Sequence, residues 1–377
     1  MRIGIPKETA EGERRVAMVP DVVRRLTAAN HTVLVEAGAG AAAAIPDDAF
    51  TAAGAEIASA DQVWSADVVA KVAKPSDAEI GRLKAESVLI GFLQPLTAGP
   101  TNKAISQTGA TTFAMEAIPR ISRAQSMDAL SSQASIGGYR AVLLASLEMG
   151  RFFPMLTTAA GTIKPATVLV LGAGVAGLQA IATARRLGAV VTGYDVRAVV
   201  REQVESLGAR FLELDLAADA EGAGGYAKAL DEDQQRRQQE AMAEAAGKFD
   251  VVITTALIPG RPAPLLLIEK AVENMKPGSV IVDMAGDSGG NCELTEPGET
   301  VVKHDVTIAS PLNLPGDMPD HASQLYSRNV SALLELMVKE GELTLDFDDA
   351  VIAGACITRD GEIVHEGAKQ AVGAATT

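Results

Sequence analysis

The sequence predicts an α/β protein built as two doubly wound, parallel-sheet domains separated by a cleft, with the C-terminal segment returning to the first domain. Three observations carry this expectation. The chain has 377 residues, beyond the usual size of one domain. Short apolar runs alternate with helical or turn segments through its first third, and such alternation implies a parallel sheet with both faces covered. A second unit of the same kind then starts afresh at "ATVLVLGAGVAGL". Apolar residues make up 47% of the chain but aromatics only 3%, so the cores must be filled by Ala, Val, Ile and Leu.

In chain order, "RIGIPKE" reads as a strand, "VPDVVRRLTAAN" as a Pro-started helix and "HTVLVEAG" as a second strand. The runs "ADVVAKVA", "SVLIGFL" and "ATTFAME" follow as further strands, and from about Ser135 to Phe153 the apolar spacing turns helical. After the glycine-rich unit, "FDVVITTAL", "SVIVDMA" and "VTIASPL" read as strands, with an Ala-, Glu- and Gln-rich segment at 217–247 before them. His321 to Lys339 reads as one long helix. The last 38 residues are too few for a domain of their own and are expected to rejoin the first. The boundaries are therefore set at 1–134 plus 312–377 for the first domain and 135–311 for the second.

A net charge of −15 argues against nucleic acid, since a phosphate backbone would meet repulsion. Cys292 and Cys356 are the only cysteines, which excludes a disulfide scaffold or a Cys-rich zinc site. His31, His304, His321 and His365 lie far apart in sequence, so no paired-histidine metal site is expected. The N-terminus has no apolar signal core, and no uncharged apolar run approaches the ~20 residues of a membrane span. A soluble, cytoplasmic chain is the expectation.

The most specific motif is "VLVLGAGVAG", a strand that runs directly into Gly172-Ala173-Gly174-Val175-Ala176-Gly177 and then into a helix. Gly172 allows the tight turn, Gly174 lets a pyrophosphate approach the backbone, and Gly177 lets helix and strand pack closely. The helix start offers N–H groups and partial positive charge to phosphate. Asp195 ends the following strand, eighteen residues past Gly177, where a carboxylate accepts from both ribose hydroxyls. A Rossmann-like fold and an NAD(H) site follow, with NADP(H) disfavoured because the carboxylate repels a 2′-phosphate. Arg197 either blurs that preference or is an ordinary solvated side chain.

A dehydrogenase usually needs a proton partner beside the hydride. None of the four histidines is placed as an obvious one; Lys71 and Lys74, at a strand's carboxyl end, are better placed. Hydride transfer without a proton partner is the other possibility. The segment "PRISRAQSMDALSSQ" (119–133) bears on this, because Arg120, Gln125, Asp128 and Ser131 recur every few residues just before the interdomain helix. It is either a capped polar turn leading into a helix, or a polar loop that holds a carboxamide and ribose without supplying acid or base. The glycines of "AGGYAK" likewise make either a surface loop or a lid.

These stretches, with "ITTALIPGRPAP" and "MKPGSVIVDMA…GGNC", closely resemble the NAD(H)-binding component (domain I, in the alpha subunit) of proton-translocating nicotinamide nucleotide transhydrogenase, within the alanine dehydrogenase/transhydrogenase family. The likeness runs from "GIPKE…ERRVAMVP" to "CITRDGEIVH". It implies an enzyme that passes hydride from NADH to NADP(H) held on a partner subunit, with the opposite-face stereospecificity of that enzyme. It also implies a homodimer and separate membrane-spanning proton-channel subunits, which would hold this chain at the inner face of the cell membrane. By the same resemblance Arg120, Gln125, Asp128 and Ser131 position nicotinamide and ribose, with Ser126 and Met127 among the NAD contacts. Val175, Asp195, Val196 and Arg197 are dinucleotide contacts; Gly225 and Tyr226 belong to a mobile loop; Gln238 and Leu257 complete the set.

Two rivals remain. Alanine dehydrogenase is similar in fold; Arg15 and either Lys71 or Lys74 match its substrate pocket, but Gln94 stands where its catalytic histidine is expected. A non-catalytic NAD(H)-binding redox sensor is the other. The Gly286-Asp287-Ser288 turn departs from the family pattern and leaves local nucleotide contacts open.

Overall fold

The computed structural model describes residues 1–214 and 232–374. The chain divides into two compact units, Met1–Gln133 with Pro315–Thr377, and Ala134–Leu314.

The first unit is built on an eight-stranded sheet. Its order is Glu362–Ile363, Cys356–Arg359, Thr111–Ala114, Val88–Gly91, Val68–Ala70, Arg2–Ile5, Thr32–Glu36 and Glu56–Ala58. The six strands from Thr111–Ala114 to Glu56–Ala58 are parallel. Their sequences are near-continuous Val, Ile and Leu because each strand is buried on both faces. Side chains accordingly split by alternation: Val68, Ala70, Val88 and Ile90 join one core, Val69 and Leu89 the other. The Pro319–Met337 helix covers the first face with Tyr326, Val330, Leu333, Leu334 and Met337.

The C-terminal segment does return to this sheet. Cys356–Arg359 pairs antiparallel with Thr111–Ala114, and the buried Thr112 and Thr358 hydroxyls hydrogen-bond at 2.8 Å. Asp360 and Gly361, both at positive φ, turn the chain back into Glu362–Ile363, the Asp-Gly hairpin signal of the tail.

The second unit holds a seven-stranded sheet in the order Arg210–Phe211, Val190–Tyr194, Thr167–Leu171, Val251–Thr254, Val280–Asp283, Val306–Ala309, Thr300–Lys303. All pairs are parallel except the last. Numbered along the chain, the first five strands run 3-2-1-4-5, the doubly wound arrangement whose crossovers reverse between strands 1 and 4. The carboxyl ends of those two strands, Leu171 and Thr254, therefore open the unit's binding crevice. Val168 and Val170 face one core, Leu169 and Leu171 the other.

Two helices begin earlier than the apolar periodicity suggests. The helix expected from about Ser135 runs Ala129–Glu148, because the Asp128 carboxylate accepts from the Ser131 N–H at 2.9 Å and caps a new first turn. The helix expected from His321 runs Pro319–Met337, with Pro319 at its start, where a missing N–H costs nothing.

Candidate functional site

In the second unit the Thr167–Leu171 strand ends at Gly172, whose φ of +96° only glycine adopts easily. A Cβ there would lie 2.6 Å from Thr255 Oγ1, and one on Gly177 would lie 1.8 Å from the Gly172 carbonyl oxygen. Both positions are thus closed to any side chain. Gly174 differs: nothing lies within 4 Å of where its Cβ would be. Its lack of a side chain serves no contact inside the protein, and it leaves the backbone open to a ligand. Gly174 also caps the twelve-residue helix Val175–Arg186, whose first N–H groups have no intrahelical acceptor. An open backbone above free N–H groups fits a pyrophosphate.

Asp195 sits just past the neighbouring strand's end, its side chain only 6% exposed. Its Oδ2 accepts from the Ala173 N–H at 2.8 Å, tying the acid to the glycine turn. The Arg197 guanidinium forks onto it, Nε to Oδ1 at 2.8 Å and Nη2 to Oδ2 at 2.7 Å. Arg197 is therefore not the solvated surface side chain that one of its two sequence readings makes it; it is 13% exposed and paired.

The remaining nucleotide candidates are distributed as follows. Val175 and Leu257 are 42% and 45% exposed apolar side chains at the carboxyl edge of the sheet. Val196 packs partly into the core. Gln238 is buried and donates its amide to the Tyr194 hydroxyl at 2.8 Å, while burial raises the Tyr194 pKa. Gly225 and Tyr226 lie outside the described residues.

The loop after Val251–Thr254 is held by groups that sequence reasoning misses. Thr255 Oγ1 donates to the Gly172 carbonyl at 3.1 Å. Buried Asn291 brackets the loop, accepting from the Ala256 N–H and donating to the Ala256 and Pro264 carbonyls. Asp283, fully buried, accepts from Thr254 Oγ1, Thr295 Oγ1 and the N–H groups of Ala285, Asn291 and Cys292. The only sequence signal was an acid ending an apolar strand in "SVIVDMA". The adjacent Gly286-Asp287-Ser288 turn is a short 3-10 helix, and burial raises the Asp287 pKa.

In the first unit, Ser122–Met127 forms a 3-10 helix ending at Asp128. Arg120, Gln125 and Ser126 are exposed, Met127 is buried, and the Asp128 carboxylate also accepts from Ser131 Oγ at 2.6 Å. The capped turn is thus present; Asp128 and Ser131 satisfy each other, and the exposed donors are Arg120, Gln125 and Ser126. Asn329, from the Pro319–Met337 helix, pins the segment by donating to the Ser126 carbonyl at 2.8 Å and accepting from Ser132 Oγ at 2.7 Å.

Lys71 is not an open ligand group. It is completely buried, with Nζ 3.1 Å from Glu8 and 3.3 Å from Glu79. Arg15 is also buried, its guanidinium paired with Glu13 and donating to Gln133 Oε1 at 2.9 Å. Lys74 is exposed. Gln94 is exposed at φ +53°, its N–H donated to Glu116. Among the histidines, His304 pairs with Glu269 on the surface, while burial lowers the pKa of His31 and His365.

Models of the alanine dehydrogenase/PNT N-terminal and C-terminal domains match residues 4–137 and 141–366. The chain is 52% identical over 376 residues to the first of the polypeptides that make up NAD(P) transhydrogenase subunit alpha in Rhodospirillum rubrum, covering 97% of this chain and 98% of that protein. It is 30% identical over 375 residues to alanine dehydrogenase of Mycolicibacterium smegmatis, covering 97% and 95%. The solved structure of transhydrogenase from Sinorhizobium meliloti superposes with a TM-score of 0.85 at 42% identity, over 97% of this chain and 99% of that one. That of an L-alanine dehydrogenase does so with 0.84 at 29%, over 99% of both. Matched from end to end by both domain models and by relatives of both names, the chain belongs to the alanine dehydrogenase/PNT family.

Proposed function

We propose that this chain is the NAD(H)-binding subunit of a proton-translocating transhydrogenase, handing hydride from NADH to NADP⁺ on a partner subunit while separate membrane-spanning subunits move the proton. The observation that carries the reading is the glycine turn, open at Gly174 over a helix start and tied to Asp195, in a chain coextensive with a transhydrogenase alpha-subunit polypeptide. Bound nicotinamide supplies the hydride at its C4. The protein's tasks are then orientation and exclusion of water, because no proton moves at the reacting atoms.

In this reading, residues 135–311 form the NAD(H) domain and residues 1–134 with 312–377 the other. Gly172, Gly174 and Gly177 shape the pyrophosphate turn; Asp195 accepts from the adenosine ribose; Val175, Val196, Arg197, Gln238 and Leu257 line that end. Arg120, Gln125, Ser126, Met127, Asp128 and Ser131 are assigned to the nicotinamide and its ribose, and Gly225 and Tyr226 to a covering loop. Alanine dehydrogenase is disfavoured by the side chains its chemistry needs: Gln94 has no proton to exchange near neutrality, and Lys71 and Arg15 are already neutralised by Glu8, Glu79 and Glu13.

Homodimer formation is supported by exposed apolar side chains on the second unit. Leu147 is 79% exposed, Phe152 50%, Met155 63% and Ile163 50%, around the isolated hairpin Leu156–Thr158/Gly161–Ile163. A two-stranded hairpin outside any larger sheet is only marginally stable in water. Among the described residues no helix is long and apolar enough to cross a membrane, so attachment to the inner face would run through the partner subunits.

The test is reconstitution. With the NADP(H)-binding component added, NADH plus NADP⁺ should give NADPH, and neither protein alone should. Oxidation of NADH by this chain alone with pyruvate and ammonium would instead make it an alanine dehydrogenase. Nucleotide binding without either reaction would leave a redox sensor.

A further inference from the structure

We infer that Arg197 is a displaceable cap on Asp195, one that the adenosine ribose must remove, so that Arg197 sets both the affinity for NAD(H) and the margin against NADP(H). The inference rests on the reading that the dinucleotide lies on the Gly172–Gly177 turn.

Acceptor capacity decides the matter. An ionised carboxylate offers about four lone-pair sites. Asp195 fills four: Oδ1 accepts from the Arg197 N–H at 2.9 Å and from Nε at 2.8 Å. Oδ2 accepts from the Ala173 N–H at 2.8 Å and from Arg197 Nη2 at 2.7 Å. A ribose diol brings two further donors, and no acceptor is left for them. The two backbone donors are fixed by the glycine turn and by chain connectivity. The two guanidinium bonds are the ones that can be given up, since they hang on a side chain with rotatable bonds. Exposed Ala198 and Val199, the latter 59% exposed, follow Arg197 and leave its guanidinium a route outward.

The same geometry bears on selectivity. A bare carboxylate would repel a 2′-phosphate strongly, whereas the Asp195–Arg197 pair is neutral as a unit. The arginine therefore weakens the attraction for the diol and the repulsion for the phosphate together. Its removal should move the two dinucleotides in opposite directions, which a merely structural side chain would not do. A contact made by Arg197 with the bound nucleotide comes after it has left Asp195.

The experiment uses the full chain and measures NADH and NADPH binding by titration calorimetry for the native protein, Arg197→Gln, Arg197→Lys and Asp195→Asn. Releasing two charge-assisted hydrogen bonds on binding predicts that Arg197→Gln binds NADH about fivefold to tenfold more tightly and NADPH more weakly. Arg197→Lys, whose ammonium cannot fork, should fall between. In the native protein the Arg197 Nε–H resonance, held by Asp195, should shift and lose exchange protection on adding NADH.

NADH binding that is unchanged or weakened in both Arg197 variants, or an Nε–H signal that keeps its protection, would overturn the cap. If the native protein binds no NADH, or binds it equally well as Asp195→Asn, the nucleotide reading itself falls, which is a separate result.

Discussion

Replacing Glu116 with Gln should stabilise the protein, and by an amount that grows with pH. Glu116 follows the Thr111–Ala114 strand; its Oε1 accepts from the Gln94 N–H at 2.6 Å, while its Oε2 is buried with no partner. Burial is the largest cause of a carboxyl pKa raised from 4.5 to about 7. The folded state therefore keeps a proton that the unfolded chain releases above pH 4.5. Stability falls as pH rises from there to about 7 and is level beyond. At about 1.4 kcal/mol per unit, that rise corresponds to about 3 kcal/mol withheld from the native state at pH 8. Glutamine keeps the acceptor for Gln94 and carries no charge at any pH. Urea unfolding followed by circular dichroism at pH 5, 6, 7 and 8, on both proteins, should give a difference near zero at pH 5 that widens in favour of Glu116→Gln. A difference independent of pH, or one that widens toward acid, would refute the burial argument.

Two further substitutions separate ligand space from packing space in the glycine turn. Gly174→Ala, with nothing within 4 Å of its new Cβ, should leave thermal stability within about 0.5 kcal/mol while weakening NADH binding tenfold or more. Gly177→Ala, whose Cβ would lie 1.8 Å from the Gly172 carbonyl, should lose both stability and binding, as scanning calorimetry and titration would show. Asp283→Ala removes the acceptor of five hydrogen bonds and leaves three buried backbone N–H groups unpaired; thermal or urea unfolding should register a loss of about 3–5 kcal/mol.

What could be read from the sequence was what is encoded locally. The six-residue span Gly172–Gly177 declares itself because three glycines, a preceding β-branched strand and a following helix all meet there. The parallel sheets show as Val- and Ile-rich runs because strands buried on both faces cannot alternate with polar residues. Edge strands such as Glu56–Ala58 and Thr300–Lys303 were not legible. The first has three residues, and both expose side chains, so neither carries a long apolar run. The fate of charged side chains was hidden for a different reason. Lys71 finds Glu8 only when two strands of one sheet lie side by side, and Arg197 pairs only when its side chain folds back on Asp195. The segment 119–133 suggested either a cap or a ligand loop, and a capping contact between Asp128 and Ser131 is present. Its remaining exposed polar groups are the ones assigned to the nucleotide.

If hydride passes directly from one nicotinamide to the other, with no proton-carrying side chain between them, an isotope label on the donor must survive the transfer. The decisive mixture holds this protein, its NADP(H)-binding partner, 4-deuterated NADH and NADP⁺ in ordinary water, with no amino or keto acid present. Mass spectrometry of the NADPH formed should find the deuterium transferred in full, only with both proteins present, and with none lost to solvent. Unlabelled NADPH, or label that washes out into water, would contradict direct transfer.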